Sequence, residues 1–244
     1  MPRNEGSKVK NQMLRVMNST VLAAALATSV SMSTISHAGP SVTPGVLPPQ
    51  SSPYGQSYGQ WSAAWWQWFM EHPLTGHPGI DSPDFDVRSG QSGKVWFLAT
   101  PFGTVERTVT IPSGTALFVA IANAEGSSLE GSVTEADQRA SAAWQADHIV
   151  SVSCSVDGVA VSNLANYRVE SPQFSFTAPD PWIFSPAPGG EGTAVADGYF
   201  VMLAPFYGGT HTIHLTGLIH FSIAEGDPFD GDFSLDVTYN VISN

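Results

Sequence analysis

Cysteine is almost absent from this chain of 244 residues, which contains Cys154 alone. A single thiol excludes an internal disulfide, so packing must hold the fold together. A chain of this length can bury a large core without such cross-links. Cys154 alternates with serine beside Val150, Val152 and Val156 in a predicted strand. We therefore expect its thiol to be buried and unreactive.

Basic residues are also scarce, with 9 lysines and arginines against 21 aspartates and glutamates, giving a formal charge of −12. Proteins that bind nucleic acids or anionic lipids normally do so through clustered lysine and arginine. The composition therefore argues against both as partners. Acidity mainly favours solubility and carries no information about the fold.

No apolar run reaches the roughly 18 residues that a membrane-spanning helix needs, so no transmembrane segment is predicted. Residues 1–38 instead have the layout of a secretory signal peptide, with a basic start, an apolar centre at 21–27 and a Ser36-His37-Ala38 cleavage signal. Removing them takes away four basic residues and one acidic residue, which changes the formal charge from −12 to −15. The sequence therefore predicts a secreted protein, in the periplasm, outside the cell or on its surface.

Residues 39–53 are rich in proline, serine and glycine and are predicted to form an extended leader. Residues 54–244 are predicted to form one domain of about nine or ten short strands with two helices. Because the helices do not alternate with the strands, the pattern favours a single antiparallel, jelly-roll-like β-sandwich over a parallel α/β sheet.

Short sequence motifs predict the positions of several of these strands and helices. Strict alternation over 149–156, followed by Asp157-Gly158, predicts a hairpin. Residues 116–122 are apolar at every position, as expected of a central strand covered on both faces. Thr134 precedes an acidic first turn and is predicted to cap a helix that ends near Asp147.

Four of the seven tryptophans fall within eight residues of a segment that is predicted to be helical. Ser57 and Gln60 fit a capping box, and His72-Pro73 supplies the stop. The aromatic side chains cover an arc of roughly 100°. They are Tyr58, Trp61, Trp65, Trp68 and Phe69, with Trp66 beside them. Either this face packs on the protein's own sheet, or part of it stays open to bind a sugar ring or a lipid surface.

Five segments together carry a resemblance to known proteins: Tyr54-Gly55-Gln56-Ser57-Tyr58-Gly59-Gln60-Trp61, Trp65-Trp66-Gln67-Trp68, the Gly-Gln-Ser-Gly-Lys-Val-Trp-Phe-Leu run at 90–98, Asp197-Gly198-Tyr199 and His211-Thr212-Ile213-His214. The chain resembles a widespread group of uncharacterised secreted bacterial β-rich proteins. This resemblance covers most of the mature chain and implies export and one compact β-rich domain. It implies no activity, substrate or catalytic residue. Members of the group often have cysteine pairs that this chain lacks, so no disulfide is implied.

Polar residues follow directly after the predicted central strand: Asn123, Glu125 and Glu130. Carboxylates at the mouth of a buried strand are held by a rigid element and still reach solvent. Such a pair suits general acid/base catalysis or calcium binding. Glu125 and Glu130 are therefore the candidate catalytic pair, with an ordinary connecting loop as the alternative.

Three further carboxylates, Asp227, Asp230 and Asp232, lie within six residues and resemble part of a calcium-binding loop. They lack the full Asp-x-Asp-x-Asp-Gly spacing and the distant glutamate of that motif. Calcium is the only cofactor hypothesis that the sequence supports, and solvated turns are the alternative.

Three functional hypotheses follow. The first is a secreted or cell-surface β-sandwich that binds a polysaccharide, a cell-envelope component or another extracellular partner, through Trp61, Trp65, Trp66, Trp68 and Asn123. The second is an extracellular glycan hydrolase or lyase that uses Glu125 and Glu130. The third is a structural, envelope-associated protein whose tryptophans are all buried. Abundant tryptophan, low charge density and the lack of a recognisable catalytic set favour the first.

Overall fold

The computed structural model describes residues 45–184 and 186–244, so the predicted signal peptide and the first residues of the leader lie outside the described residues. Within these ranges the chain forms eleven strands and two α-helices. The helices are α1 (Tyr58–Met70) and α2 (Glu135–Asp147). The strands are β1 (Val46–Leu47), β2 (Val95–Leu98), β3 (Gly103–Ile111), β4 (Thr115–Ser127), β5 (Ile149–Val156), β6 (Val159–Ala160), β7 (Arg168–Glu170), β8 (Phe174–Ala178), β9 (Gly190–Phe206), β10 (Gly209–Phe221) and β11 (Gly231–Ser243).

The strands form two sheets, which confirms the predicted mainly β, two-sheet architecture. The first sheet has the order β1-β9-β4-β2, with β7 and β8 also paired to β9, and the second has the order β3-β11-β10-β5-β6. Both sheets are mixed, because β2 pairs with β4 and β3 pairs with β11 in parallel. Parallel neighbours need a crossover connection. Here the chain leaves the first sheet after β2, runs through β3 in the second sheet, and returns as β4.

Helix α1 packs on the first sheet. Its Tyr58 and Trp61 rings lie 5.6 Å and 6.3 Å from the ring of Phe118, and its Trp65 ring lies 5.8 Å from that of Phe200. All four tryptophans of α1 are buried, with 2–9% of their surface exposed. The interpretation that this aromatic face packs on the protein's own sheet is therefore confirmed.

The sequence signals at the helix ends and at the hairpin are also confirmed. Ser57 and Thr134 each form a capping box, with Gln60 and Asp137 respectively. The β5–β6 hairpin turns at Asp157-Gly158, where φ is 51° and 77°. Positive φ at both positions is the backbone that a two-residue turn of this kind requires. No helix within the described ranges is long and apolar enough to cross a membrane.

The second half of the predicted leader is part of the fold. Val46 and Leu47 pair with Leu203 and Met202 of β9. The hydroxyl of Tyr58 donates to the carbonyl oxygen of Leu47 at 2.6 Å and accepts from the amide of Met202 at 3.0 Å. The edge of β9 and this buried hydroxyl give the segment backbone partners that its proline-rich composition did not reveal.

Cys154 lies in the core on β5, as predicted. Burial raises the pKa of its thiol to about 12. The thiolate is the nucleophilic form, so the buried thiol is unreactive at neutral pH.

Candidate functional site

A partly open cavity of about 80 Å³ lies beside β4, at the point where β2 ends. Strand β2 pairs with β4 only along 116–119. The chain then leaves through Thr100, Pro101 and Phe102 toward the second sheet. The next residues of β4, 121–125, therefore line a cavity instead of a further strand pairing.

Aromatic rings form much of the cavity wall. Trp65, Trp66 and Phe69 come from α1, while Phe102 and Phe184 come from loops. The rings of Trp65 and Phe69 stack at 4.9 Å, and the ring of Trp66 meets that of Phe69 edge-on at 5.3 Å. This mutual packing holds the rings in place, so the apolar wall is preformed.

Four residues with polar side chains also belong to the lining: Thr100, Asn123, Glu125 and Gln145. Glu125 is only 2% exposed. The side-chain amide of Gln145 on α2 donates to the backbone carbonyl of Glu125 at 2.7 Å. Helix α2 approaches β4 closely here, since a Cβ at Gly126 would lie 2.5 Å from the carbonyl oxygen of Gln138. Glycine at 126 thus allows the contact that places Gln145 over Glu125.

The indole N–H groups divide the tryptophans of α1 into two kinds. Those of Trp61, Trp65 and Trp68 donate to the carbonyl oxygens of Pro53, Leu98 and Ser89, at 2.9–3.0 Å. The N–H of Trp66 is buried and has no acceptor among the described residues. A buried donor without an acceptor is costly, so the N–H of Trp66 lowers the stability that this ring otherwise contributes by packing.

This difference predicts how the two tryptophans of the cavity respond to substitution. Trp65→Phe removes a formed hydrogen bond and leaves the Leu98 carbonyl without its donor, whereas Trp66→Phe removes only an unsatisfied donor. Both changes lose similar ring volume. We therefore expect Trp65→Phe to cost about 1–2 kcal/mol more unfolding free energy than Trp66→Phe. Urea unfolding of the two variants at one pH measures the difference, and equal costs would contradict the assignment of the two N–H groups.

The structure brings together some of the predicted ligand-binding residues and separates others. Trp65, Trp66 and Asn123 line the cavity. Trp61 and Trp68 are outside its lining, and their hydrogen bonds tie the segments around Pro53 and Ser89 to α1. The binding role of all five residues stays a prediction.

The predicted catalytic pair is divided in the same way. Glu125 lines the cavity, while Glu130 lies in the turn after β4, where it accepts a hydrogen bond from the hydroxyl of Ser127 at 3.0 Å. Hydrolysis of glycosidic bonds uses two carboxyl groups that flank the bond from opposite sides. Among the described residues, Glu125 is the only acidic side chain that lines this cavity.

The three carboxylates of the predicted calcium loop each accept from a different donor. Asp227 accepts from the Ser222 amide and pairs with His148 at 2.9 Å. Asp230 accepts from the Ile223 amide at 2.8 Å, and Asp232 pairs with His220 at 2.6 Å. In the described part of the chain, no three histidine, cysteine or acidic side chains converge as metal ligands would.

The residues of the cavity that were not predicted from the sequence include Phe102, Gln145 and Phe184. Each is distant in the sequence from Glu125, and no spacing connects them. The sequence did contain a signal for Gln145. The helix that carries it is capped by Thr134 and begins at Glu135, soon after the polar end of β4. The two phenylalanines lie in loops, where no periodicity indicates which way a side chain points.

A second depression of about 440 Å³ lies between the end of α1 and strands β8 and β9, and it is larger but shallower. Its walls carry Glu71, Ser175, Thr177, Glu191 and Thr193. The carboxylate of Glu71 is already used there, since it accepts from the amide of Thr177 at 3.1 Å. Volume alone would favour this depression. The cavity beside β4 is the better candidate because buried aromatic and polar groups converge in it.

Comparisons of the chain with protein families, with curated proteins and with solved structures give no match. The functional interpretation therefore depends on the geometry of the cavity.

Proposed function

We propose that the chain is a secreted or cell-surface binding protein that holds a small extracellular ligand, or one unit of a polysaccharide or other extracellular polymer, in the cavity beside β4. The layout of residues 1–38 supports export. The acidic composition favours an uncharged or cationic ligand over an anionic one.

The observation that carries this proposal is the partly open cavity beside β4, where aromatic residues of α1 meet the polar residues Asn123 and Glu125. Small-molecule sites are concave and mostly apolar, with a few polar groups that orient the ligand. Here the rings supply the apolar wall, and Asn123, Glu125 and Gln145 supply polar groups. A volume of about 80 Å³ exceeds by several-fold the roughly 10–15 Å³ that one water needs on this scale. It has room for one small chemical group.

The same geometry gives less support to the other two hypotheses. A glycan hydrolase or lyase based on Glu125 and Glu130 needs both carboxyl groups beside one substrate bond. The buried tryptophans of α1 agree with a purely structural, envelope-associated role, but such a role gives no reason for a preformed, partly open cavity.

The test is a binding screen on the mature chain from Gly39, with soluble polysaccharides, single sugars and small amines. The indole N–H resonance of Trp66 reports contact with the cavity. We expect at least one class to shift that resonance saturably, because a ligand bound against the Trp66 ring changes the surroundings of the indole. A screen in which no compound shifts it would overturn the proposal.

A matched pair of variants tests whether the ligand binds in the cavity. Ala124 lines it, and Ala160 lies exposed on β6. Ala124→Val fills part of the cavity and should weaken binding at least about tenfold, whereas Ala160→Val should leave it unchanged. Equal effects of the two changes would place the ligand elsewhere.

A further inference from the structure

We propose that the outer edge of β3 is a docking site for an extended, basic peptide segment of a partner protein, which adds to the second sheet as a further strand. No residue lines both this site and the cavity beside β4. The inference therefore goes beyond the proposed function and does not depend on it.

The first argument is the long open edge of the second sheet. Strand β3 stands at the end of the sheet order and pairs with β11 through all nine of its residues. Among the described residues, no backbone hydrogen bond joins positions 103–110 to a segment other than β11. A row of N–H and C=O groups therefore points away from the sheet along roughly 30 Å of strand. Such an edge is a template for pairing with another chain.

Other sheet edges are short or are covered by side chains. Strands β1 and β6 have only two residues each. On β2, the side-chain amide of Gln91 both donates to and accepts from the backbone of Phe97, at 2.8 Å. On β8, the side chain of Gln67 donates to the carbonyl oxygen of Ser175 at 2.7 Å. These side chains take the place of a neighbouring strand and protect the edge from pairing. The edge of β3 lacks this protection in the described part of the chain.

The second argument is a groove of about 320 Å³ beside this edge. Glu106, Arg107 and Thr108 of β3 form one wall, and four residues of the 81–85 loop form the other. Successive side chains of a strand point to opposite faces of the sheet. A groove that is lined by three consecutive residues therefore lies along the edge of the strand rather than on one face. An added strand would lie in this position.

The third argument is charge. Two carboxylates line the groove: Asp81, whose side chain is about half-exposed, and Glu106, which is exposed. Asp81 lies 3.9 Å from Nε of the buried Arg107, and Glu106 accepts from the side-chain amide of Asn240 at 2.8 Å. A carboxylate accepts several hydrogen bonds, so each can also accept one from a lysine or arginine of the partner. The formal charge of −12 favours a basic partner in the same sense.

The apolar part of the groove suits the same kind of side chain. Pro83 and Phe85 line it, and the Phe85 ring is held in place by the Arg107 guanidinium, 4.1 Å from the ring centre. The methylene stem of a lysine or arginine can lie on such a surface while its charged end reaches a carboxylate. Backbone pairing would thus supply affinity, and the basic side chain would supply specificity.

The probe is a heptapeptide that alternates threonine and lysine and is acetylated and amidated at its ends. Its counterpart has glutamate in place of each lysine. Calorimetric titration of the mature chain should show saturable binding of the lysine peptide, at least about tenfold tighter than that of the glutamate peptide, because like charges repel across an interface. Equal affinities, or no binding of the lysine peptide, would overturn the proposal.

Two methylated forms of the lysine peptide distinguish strand addition from simple charge attraction. In an extended strand, the N–H groups of successive residues point to opposite edges. Methylating the lysine amides blocks one edge of the peptide, and methylating the threonine amides blocks the other. One form should therefore bind at least about tenfold more weakly than the other, because it loses several hydrogen bonds to β3. Equal affinities of the two forms would contradict backbone pairing.

Amide hydrogen exchange locates the bound peptide. The lysine peptide should slow the exchange of the outward amides within 104–110, because they gain carbonyl acceptors. Glu106→Gln should weaken binding about two- to fivefold, as expected for one exposed ion pair. Glu225→Gln, at an exposed position after β10, is the matched control and should have no effect. Peptide binding that leaves exchange in β3 unchanged would place the site elsewhere and overturn the proposal.

A second copy of the chain is the other candidate for this edge. Sedimentation at increasing protein concentration should show no dimer, because two copies of the same acidic edge repel each other. A dimer that protects the β3 amides and excludes the lysine peptide would assign the edge to self-association and overturn the proposal. None of these outcomes affects the proposed binding function, which the Trp66 resonance tests separately.

Discussion

Replacing Phe118 with alanine is expected to destabilise the protein by about 3–5 kcal/mol. Phe118 lies fully buried in the first half of β4. Its ring stacks on that of Phe200 at 5.2 Å and also meets the rings of Tyr58 and Trp61. The change removes the ring on which α1 rests and leaves a void between the helix and the sheet. Part of the cost is lost transfer free energy, and the rest comes from a cavity that rigid neighbours cannot fill.

Urea unfolding measures this cost, and Tyr207→Ala is the control. Tyr207 is also aromatic, but 76% of its surface is exposed in the turn between β9 and β10. Its removal should change the unfolding free energy by less than about 0.5 kcal/mol. A loss below about 2 kcal/mol for Phe118→Ala would mean that α1 does not depend on this contact.

Acidification is expected to destabilise the protein through His77, which is fully buried. Burial lowers the pKa of His77 to about 3, and the nearby His72 and Arg107 add to the effect. Its Nε2–H donates to the carbonyl oxygen of Phe69 at 2.9 Å, and its Nδ1 accepts from the amide of Gly79 at 3.0 Å. This arrangement requires the neutral ring.

The direction of the pH effect follows from proton binding. Between about pH 6.5 and pH 3 the unfolded chain binds a proton at this histidine and the folded chain does not. The stabilisation is therefore complete above pH 6.5 and decreases as the pH falls toward 3, by a total of about 4–5 kcal/mol. Urea unfolding at intervals from pH 7 to pH 4 measures the slope.

His77→Gln tests whether this residue is the cause. The variant loses stability at pH 7, because one amide cannot replace both hydrogen bonds, but its stability should fall less steeply on acidification. His220→Gln is the control, because His220 is partly exposed and its hydrogen bond to Asp232 raises its pKa. A raised pKa gives stability that is lost as the pH rises, so this variant should lose stability on acidification at least as steeply as the unchanged protein. An unchanged slope in His77→Gln would assign the acid sensitivity to other groups.

The features that the sequence predicted correctly are those that depend on neighbouring residues. The capping residues Ser57 and Thr134, the turn at Asp157-Gly158 and the buried strand at 116–122 each satisfy a local backbone or packing requirement. Two packed sheets then follow from the number of short strands and the lack of alternating helices.

The features that it did not predict depend on contacts between distant segments. The parallel pairs β2–β4 and β3–β11 arise from crossovers between sheets, and strand composition does not encode them. The separation of Glu125 from Glu130 has a similar origin. The β4–β9 register shifts near Ala120, and the strand continues through Glu125, so Glu125 stays in the sheet while Glu130 falls in the following turn.

The most direct test of the proposed binding function is the indole N–H resonance of Trp66 during a titration with a compound that the screen shows to bind. The account predicts one saturable shift of this resonance, with the N–H resonances of Trp61 and Trp68 unchanged because their carbonyl acceptors lie outside the cavity. Saturable binding of that compound with the Trp66 resonance left in place would contradict it.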